Sequence, residues 1–232
     1  MIDQIKFGTD GWRAVIGDTY TVKNISRVAE GTALWVKQQS KEPSIVIGHD
    51  CRFNGRLFME TAIKVYLNHG IKVYYADGFV STPMVSMGTK RYGANIGVVL
   101  TASHNPPSYG GYKLKSNYGG PLLPDKIQEV EDLIPDHIDA SVLNISLEDA
   151  IADGRLIQVD LETQYIDAVT EALKTGAKEI TLLNAKGKPT KNKVSTSYGA
   201  ERSCKFAISA LTQAADGKKT WRAAVPGDGF TY

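Results

Sequence analysis

Hydrophobic positions in the first three quarters of the chain alternate between the period of a helix and that of a strand. Apolar residues three or four positions apart, or a proline in a first turn, predict helices over 22–36, 55–69 and 82–91. Short apolar runs rich in β-branched residues predict buried strands over 44–48, 71–75 and 95–100. We expect Asn54 to cap the second helix. Strands and helices that alternate through short links favour a largely parallel sheet covered by helices.

The pattern continues less regularly after residue 110. Residues 111–120 are bounded by glycines and favour a hairpin or a loop. Helices are predicted over 124–134 and 161–174, a further helix over 204–215, and a loop or disordered segment over 184–193. The predicted fold is therefore α/β, a three-layer domain with a mixed, largely parallel sheet between helices, followed by an incomplete second α/β segment. We place the first domain at 1–140, a connection and the start of a second domain at 141–183, and a divergent basic tail at 184–232.

Composition narrows the function classes. The formal net charge of the 232 residues is only +2, which argues against a protein that binds polyanions with its whole surface. The tail carries nine basic and three acidic residues, but no aromatic residues alternate with them, so we expect a solvated segment and no nucleic-acid partner. Cys51 and Cys204 are too far apart in sequence to form a metal or redox motif. With no secretory signal or membrane-length apolar run, we expect a cytoplasmic protein without a membrane partner.

The segment richest in candidate chemistry is Thr-Ala-Ser-His-Asn-Pro at 101–106, directly after the strand predicted at 95–100. Strand ends are where α/β proteins place reactive groups, and a serine hydroxyl there can serve as a covalent acceptor if it is activated. The alternative is an Asn-Pro turn in which Ser103 only bonds the backbone. Local spacing alone leaves both interpretations open.

Three further segments carry candidate functional residues. Phe-Gly-Thr-Asp-Gly-Trp-Arg at 7–13 holds two glycines that allow a tight bend and turn Arg13, a bidentate phosphate ligand, inward. In Gly-His-Asp-Cys-Arg at 48–52, Asp50 and Arg52 are expected to pair and order the loop, while neighbouring side chains point apart and disfavour a metal site. Gly-Gly-Tyr-Lys at 110–113 brings Lys113 towards the same strand end as Ser103.

Together, the four segments resemble, in order and approximate spacing, those of the α-D-phosphohexomutases, the phosphoglucomutase/phosphomannomutase superfamily. The resemblance covers roughly residues 5–137, and Tyr-Ile-Asp-Ala-Val at 165–169 is similar to the entry into that family's second domain. It implies an isomerase of carbohydrate metabolism that transfers phosphate within hexose 1- and 6-phosphates. A phosphoserine would give its phosphate to the sugar, form a hexose 1,6-bisphosphate, and recover the other phosphate after the sugar reorients.

The resemblance also assigns roles to residues. Ser103 is implied as the phosphoserine, and Mg2+ would bind Ser103 through its phosphate. His104 and Lys113 are implied as catalytic groups that move protons, and Arg13 as a catalytic group that stabilises phosphate charge. Phosphate or substrate binding is expected of Arg13, Asn105 and Lys113. Asp50 and Arg52 are expected to support the site.

The chain also departs from the family. The Asp-Gly-Asp-x-Asp-Arg metal loop, the Gly-Glu-x-Ser sugar loop and the phosphate loop of domains II–IV do not occur in it, and Gly-Asp-Gly at 227–229 is read as a turn. A truncated form, a changed reading frame near residue 178 and a natural short paralogue are all compatible with this. We therefore expect domains II–IV as missing partners and little activity from the chain alone. The alternative function is a non-catalytic module that binds sugar phosphates or regulates; nucleic-acid binding through the tail is a third hypothesis.

Overall fold

The fold is described from a computed structural model that covers residues 3–8, 11–174, 179–183 and 189–195. The chain divides into two compact units, Met1–Ala168 and Val169–Tyr232. The helix predicted at 204–215 and most of the basic tail lie outside the described residues. Within the described ranges, no helix is both long and apolar enough to cross a membrane.

A six-stranded mixed sheet forms the centre of the first unit. Its strands, in spatial order, are β1 (Trp12–Val15), β5 (Tyr109–Ser116), β4 (Ile96–Leu100), β2 (Ser44–His49), β3 (Lys72–Phe79) and β6 (Leu156–Gln158). Strands β4, β2, β3 and β6 are parallel, and β5 runs antiparallel to both of its neighbours. The prediction of a mixed, largely parallel sheet is confirmed.

Helices cover both faces of this sheet, which gives the predicted three layers. They are α1 (Val22–Gln39), α2 (Gly55–Asn68), α3 (Thr82–Arg91), α4 (Pro124–Asp132), α5 (Leu147–Ala152) and α6 (Leu161–Lys174), with a short 3-10 helix at Ala140–Asn144. Each helix predicted within the described residues is present. Asn54 does occupy the first position before α2, but its side chain makes no capping hydrogen bond and its φ is 57°. The prediction that the Asn54 side chain caps the helix is therefore wrong, although α2 begins directly after Asn54 as expected.

Alternate residues along the central strands point to two separate hydrophobic cores. In β2, Ile45 and Ile47 pack with α1 and α2, whereas Val46 packs on the opposite face with Val85 of α3 and Leu161 of α6. Because the strands are buried on both faces, they appear in the sequence as continuous apolar runs. Because both faces of these strands are covered, the ends of the strands are where side chains from several of them can meet at the surface.

Four strands differ from the sequence-based expectations. Residues 111–120 do not form a hairpin of their own, because most of them lie in β5, the second arm of a hairpin with β4. The segment around Arg13 continues from its turn into β1, and the three-residue edge strand β6 had no detectable pattern. In the second unit, β7 (Glu179–Leu183) pairs antiparallel with β8 (Pro189–Ser195), which overlaps a stretch whose composition favoured a loop. The domain boundaries at 140 and 183 remain predictions.

Candidate active site

The candidate site lies where β4 ends and the chain turns back into β5. Residues 101–108, here called the Ser103 loop, connect these two strands. Asp50 and Arg52, which follow the neighbouring parallel strand β2, lie at the same edge, and the Asp50 N–H donates to the carbonyl of Leu100 at 3.1 Å. The carboxyl ends of parallel strands are the usual place for ligands in open α/β sheets.

Ser103 is exposed and has an unusual backbone. Its φ is 55°, in the left-handed region, which costs a non-glycine residue about 1–2 kcal/mol. The Ser103 N–H donates to Oγ1 of Thr101 at 3.0 Å, and the Asn105 N–H donates to the carbonyl of Ala102 at 3.1 Å. These bonds form a tight turn that presents the Ser103 side chain at the surface. The turn and the candidate chemistry therefore coexist in one loop.

Arg52 connects this loop to the end of β2. The expected pair with Asp50 is present, with 3.3 Å between Nε and Oδ2, and the Arg52 N–H also donates to Oδ1 at 3.0 Å. The guanidinium of Arg52 further donates to four carbonyl oxygens, those of Pro106 at 2.7 Å, Tyr109 at 2.8 Å, Asn105 at 2.8 Å and Ser103 at 3.0 Å. The loop is thus held through its backbone by an arginine about fifty residues away in sequence.

Arg13 approaches the loop from the other side. It lies in β1 opposite Gly111 of β5, and its Nη1 donates to Oδ1 of Asn105 at 3.0 Å. The Nε of Arg13 is buried and has no hydrogen-bond partner among the described residues. A buried donor without a partner is costly, so this arginine is suited to an anionic ligand.

Lys113 lies on the same face of the sheet as Arg13. The two residues share a face because Arg13 is paired with Gly111, two positions before Lys113 in β5. Lys113 is 3% exposed, and its stem lies against Gly11. His104 is exposed next to Ser103 and is joined to the other site residues by no hydrogen bond in the described part of the chain. The structure therefore joins Ser103, Asn105, Arg13, Arg52 and Asp50 by direct bonds, and it places Lys113 on the same face of the sheet as Arg13.

Two glycines permit the close approach of these segments. A Cβ on Gly111 would lie 2.3 Å from the carbonyl oxygen of Thr101, and a Cβ on Gly11 would lie 2.7 Å from the carbonyl oxygen of Tyr112. Gly11 also has a φ of 98°, a conformation that favours glycine. The sequence motifs that contain these glycines therefore reflect backbone contact as well as bending.

The sequence analysis assigned no role to Thr101, although it lies in the 101–106 segment, and did not identify Tyr20; both residues support the Ser103 loop through hydrogen bonds. Thr101 accepts the Ser103 N–H as noted above, a local pattern that threonine two residues before a turn can make. The hydroxyl of Tyr20 donates to the carbonyl of Gly111 at 2.9 Å, and burial raises the pKa of Tyr20 well above 10, so it stays a neutral donor. No signal in the sequence could have identified Tyr20, since 91 positions separate it from Gly111.

The described residues do not form a magnesium site. No group of three or more histidine, cysteine, aspartate or glutamate side chains among them could hold a metal. The carboxylate of Asp50, which lies at the same edge of the sheet as the Ser103 loop, is paired with Arg52. Mg2+ prefers several oxygen ligands in octahedral geometry, and a phosphate on Ser103 would offer it only part of that set.

Comparison with known proteins gives consistent matches. The family model of phosphoglucomutase/phosphomannomutase, alpha/beta/alpha domain I, matches residues 4–140. A phosphoglucomutase of Staphylococcus saprophyticus is 33% identical over 136 residues, which cover 56% of this chain and 24% of that protein. A phosphoribomutase of Saccharomyces cerevisiae is 30% identical over 183 residues, or 73% of this chain and 29% of that protein. The chain thus spans less than a third of either relative.

Solved structures show the same fold. A Thermus thermophilus protein assigned as a phosphomannomutase superposes with a TM-score of 0.67 at 30% identity, over 79% of this chain and 40% of that one. The parafusin of Paramecium, a phosphoglucomutase, superposes with a TM-score of 0.58 over 77% of this chain and 38% of its own. Its identity is only 17%, so that likeness concerns the fold alone.

Proposed function

This chain belongs to the phosphoglucomutase/phosphomannomutase family, and on that premise we propose that Ser103 carries the phosphoryl group in a phosphohexomutase reaction. Relatives named as phosphoglucomutase, phosphomannomutase and phosphoribomutase make the family one of mutases. The proposed substrates of this chain are hexose 1- and 6-phosphates, with a hexose 1,6-bisphosphate as intermediate. The names of the relatives cover several sugars, so the proposal does not specify which hexose.

One observation carries the proposal. Ser103 is exposed at a strand end, on a turn whose Asn105 is bonded to Arg13, an arginine with a buried donor that has no partner among the described residues. Phosphoryl transfer requires mainly positioning and charge stabilisation, and a fixed acceptor oxygen beside a cation supplies both. A purely structural turn would not explain why a guanidinium donor is buried next to it.

The proposed reaction consists of two phosphoryl transfers, and each forms one oxygen–phosphorus bond as another breaks. First, a sugar hydroxyl oxygen bonds to the phosphorus as the bond between that phosphorus and Ser103 Oγ breaks, which yields the bisphosphate. The sugar then turns, and Ser103 Oγ attacks the other phosphate while the sugar oxygen leaves. His104 and Lys113 are the proposed groups that take the proton of the attacking hydroxyl and return one to the leaving oxygen.

Three residues have proposed binding roles. Arg13 donates to the phosphoryl oxygens, on which negative charge is concentrated. Asn105 fixes Arg13 through the bond at 3.0 Å, and Lys113 adds positive charge on the same face of the sheet. The prediction that Mg2+ binds the phosphate of Ser103 stays a prediction, and no step above depends on it.

The test is phosphate uptake by the chain itself. We expect incubation with glucose 1,6-bisphosphate or mannose 1,6-bisphosphate to add one phosphate, which fragmentation mass spectrometry assigns to Ser103. Ser103→Ala removes this signal, whereas Ser108→Ala, an exposed serine of the same loop, retains it. No uptake by the wild-type chain, or equal uptake by Ser103→Ala, contradicts the proposal. Binding of hexose phosphate without uptake would instead favour the alternative function, a sugar-phosphate-binding module.

The second expectation concerns turnover. Because the described residues lack a carboxylate cluster for Mg2+, we expect the chain alone to interconvert hexose phosphates poorly. A coupled mutase assay with Mg2+ and the activating bisphosphate measures this. Turnover comparable to that of a full-length relative run beside it would contradict the expectation.

A further inference from the structure

Arg52 has no donor left for a substrate. A guanidinium carries five N–H groups. In Arg52, Nη1 and Nη2 donate to four backbone carbonyls, and Nε faces the carboxylate of Asp50. Each Nη donor therefore has a hydrogen-bond acceptor within the protein, and Nε lies 3.3 Å from the Asp50 carboxylate in an ion pair. A phosphate could bind this arginine only by displacing bonds that hold the Ser103 loop.

The backbone of Ser103 is fixed on both sides as a consequence. Its N–H is bonded to Thr101 Oγ1, and its carbonyl oxygen accepts from Nη2 of Arg52 at 3.0 Å. These two bonds restrain the peptide planes before and after Ser103 Cα, and therefore the left-handed φ of 55°. The direction in which Oγ leaves the backbone depends on this conformation.

The two arginines of the site thus differ in their bonding. Arg13 makes a side-chain bond to Asn105 and keeps a buried Nε without a partner in the described residues. Arg52 is bonded to backbone carbonyls and to Asp50. Both are cationic and both reach the same loop, but within the described residues Arg13 keeps a donor without a partner, whereas the donors of Arg52 are directed at the protein.

We propose that Arg52 is the positioning residue of the site, which holds Ser103 in its left-handed conformation and aims its hydroxyl for phosphoryl transfer without contacting phosphate. The inference rests on the proposed role of Ser103 as the phosphoryl carrier. Asp50 orients Arg52 through the contacts to Nε and to the Arg52 N–H. Removing the guanidinium should release the loop while leaving Arg13 in place.

The experiment measures loop conformation and phosphate uptake separately. The chain is labelled with 13C-serine, and the Cα and Cβ signals of Ser103 are assigned by their loss in Ser103→Ala. Arg52→Ala is compared with Arg56→Ala, whose arginine is exposed and pairs with Glu60 and Asp77 at the surface. Phosphate uptake from glucose 1,6-bisphosphate is followed in the same samples.

We expect Arg52→Ala to move the Ser103 carbon signals and to slow phosphate uptake about tenfold or more, since several bonds to a charged donor are lost. Free guanidinium ion, at a concentration well below the denaturing range, should restore both readouts, whereas sodium at equal ionic strength should not. Arg56→Ala should behave as wild type. Arg52→Lys, which keeps the charge but not the planar fork, should resemble Arg52→Ala and replaces it if the alanine variant does not fold.

Four other outcomes would overturn either the inference about Arg52 or the proposed function. Unchanged Ser103 signals in Arg52→Ala overturn the inference, and so do moved signals with normal uptake. Full retention of both readouts in Arg52→Lys also overturns it, because charge alone would then suffice. Wild-type protein that takes up no phosphate overturns the proposed function instead, and the serine signals then still decide whether Arg52 holds the loop.

Discussion

Replacing Gly111 by alanine tests whether backbone contact between β5 and the Ser103 loop is as tight as the structure indicates. The added Cβ would lie 2.3 Å from the carbonyl oxygen and 3.0 Å from the carbonyl carbon of Thr101, whereas ordinary contact begins at 3.4 Å. The clashing atoms belong to the backbone and cannot rotate away. They are also fixed by the bond from the Thr101 N–H to the Gly111 carbonyl at 2.9 Å.

We therefore expect Gly111→Ala to lower the free energy of unfolding by about 3 kcal/mol, the upper part of the usual cost of overpacking. For a unit of this size, each kcal/mol corresponds to roughly 2–4 °C in Tm, so the midpoint should fall by roughly 6–12 °C. Urea unfolding, followed by the fluorescence emission of buried Trp12 and Trp35, measures the change in the free energy of unfolding. Gly78→Ala is the control, because a Cβ there meets nothing within 4 Å.

Unfolding of Gly111→Ala at the same urea concentration as Gly78→Ala would contradict the tight contact between β5 and the Ser103 loop. That result would mean that β5 and the loop can move apart at little cost. The Ser103 loop would then be easily deformed, and its surroundings could not maintain the strained conformation of Ser103.

Three other predictions address the site, the core and the N-terminal segment. Arg13→Lys should slow phosphate uptake by Ser103 about tenfold or more with little change in Tm, because a lysine cannot bond Asn105 and phosphate in one plane; equal uptake would contradict this. Burial raises the pKa of Tyr112 from 10 to about 12, so its contribution to stability is present below pH 10 and is lost as the pH rises to 12. Between pH 10 and pH 12, the wild-type protein should therefore lose roughly 2–3 kcal/mol more unfolding free energy than Tyr112→Phe does. Urea unfolding at several alkaline pH values measures this difference, and equal losses in the two proteins would contradict the prediction. Glu131→Ala should destabilise the chain by about 1–3 kcal/mol in urea unfolding, because it leaves the Phe7 N–H without its carboxylate acceptor; wild-type stability would argue against that bond.

The sequence predicted those parts of the fold that depend on local patterns. The helix over 82–91 and the helix over 161–174 have the predicted ends, because proline position and apolar period are properties of the segment itself. From its sequence alone, the glycine-bounded stretch after residue 110 favours a hairpin or a loop. In the structure it is a central strand, whose glycines leave space for the Tyr20 ring and for the carbonyl of Thr101.

The candidate site shows the same division between local and distant information. The pairing of Asp50 with Arg52 could be predicted because the two residues are close in sequence and opposite in charge. The four carbonyl acceptors of Arg52 could not, since every residue has a carbonyl and no residue type identifies one that is used. The left-handed backbone of Ser103 was equally hidden, because serine has no preference for it that a pattern could reveal.

The distribution of backbone strain indicates what Arg52 does for the fold. Among the described residues, only Asn54 and Ser103 have positive φ without being glycine, and they lie in the two loops that Arg52 connects. Asparagine tolerates this conformation, whereas for serine it costs about 1–2 kcal/mol. Hydrogen bonds to a charged donor contribute roughly 1.5–3 kcal/mol each, so the four from Arg52 can hold the strained serine. A loop that only connected two strands would be free to relax to an unstrained turn, so the strain at Ser103 is consistent with the proposal that Arg52 aims the serine hydroxyl.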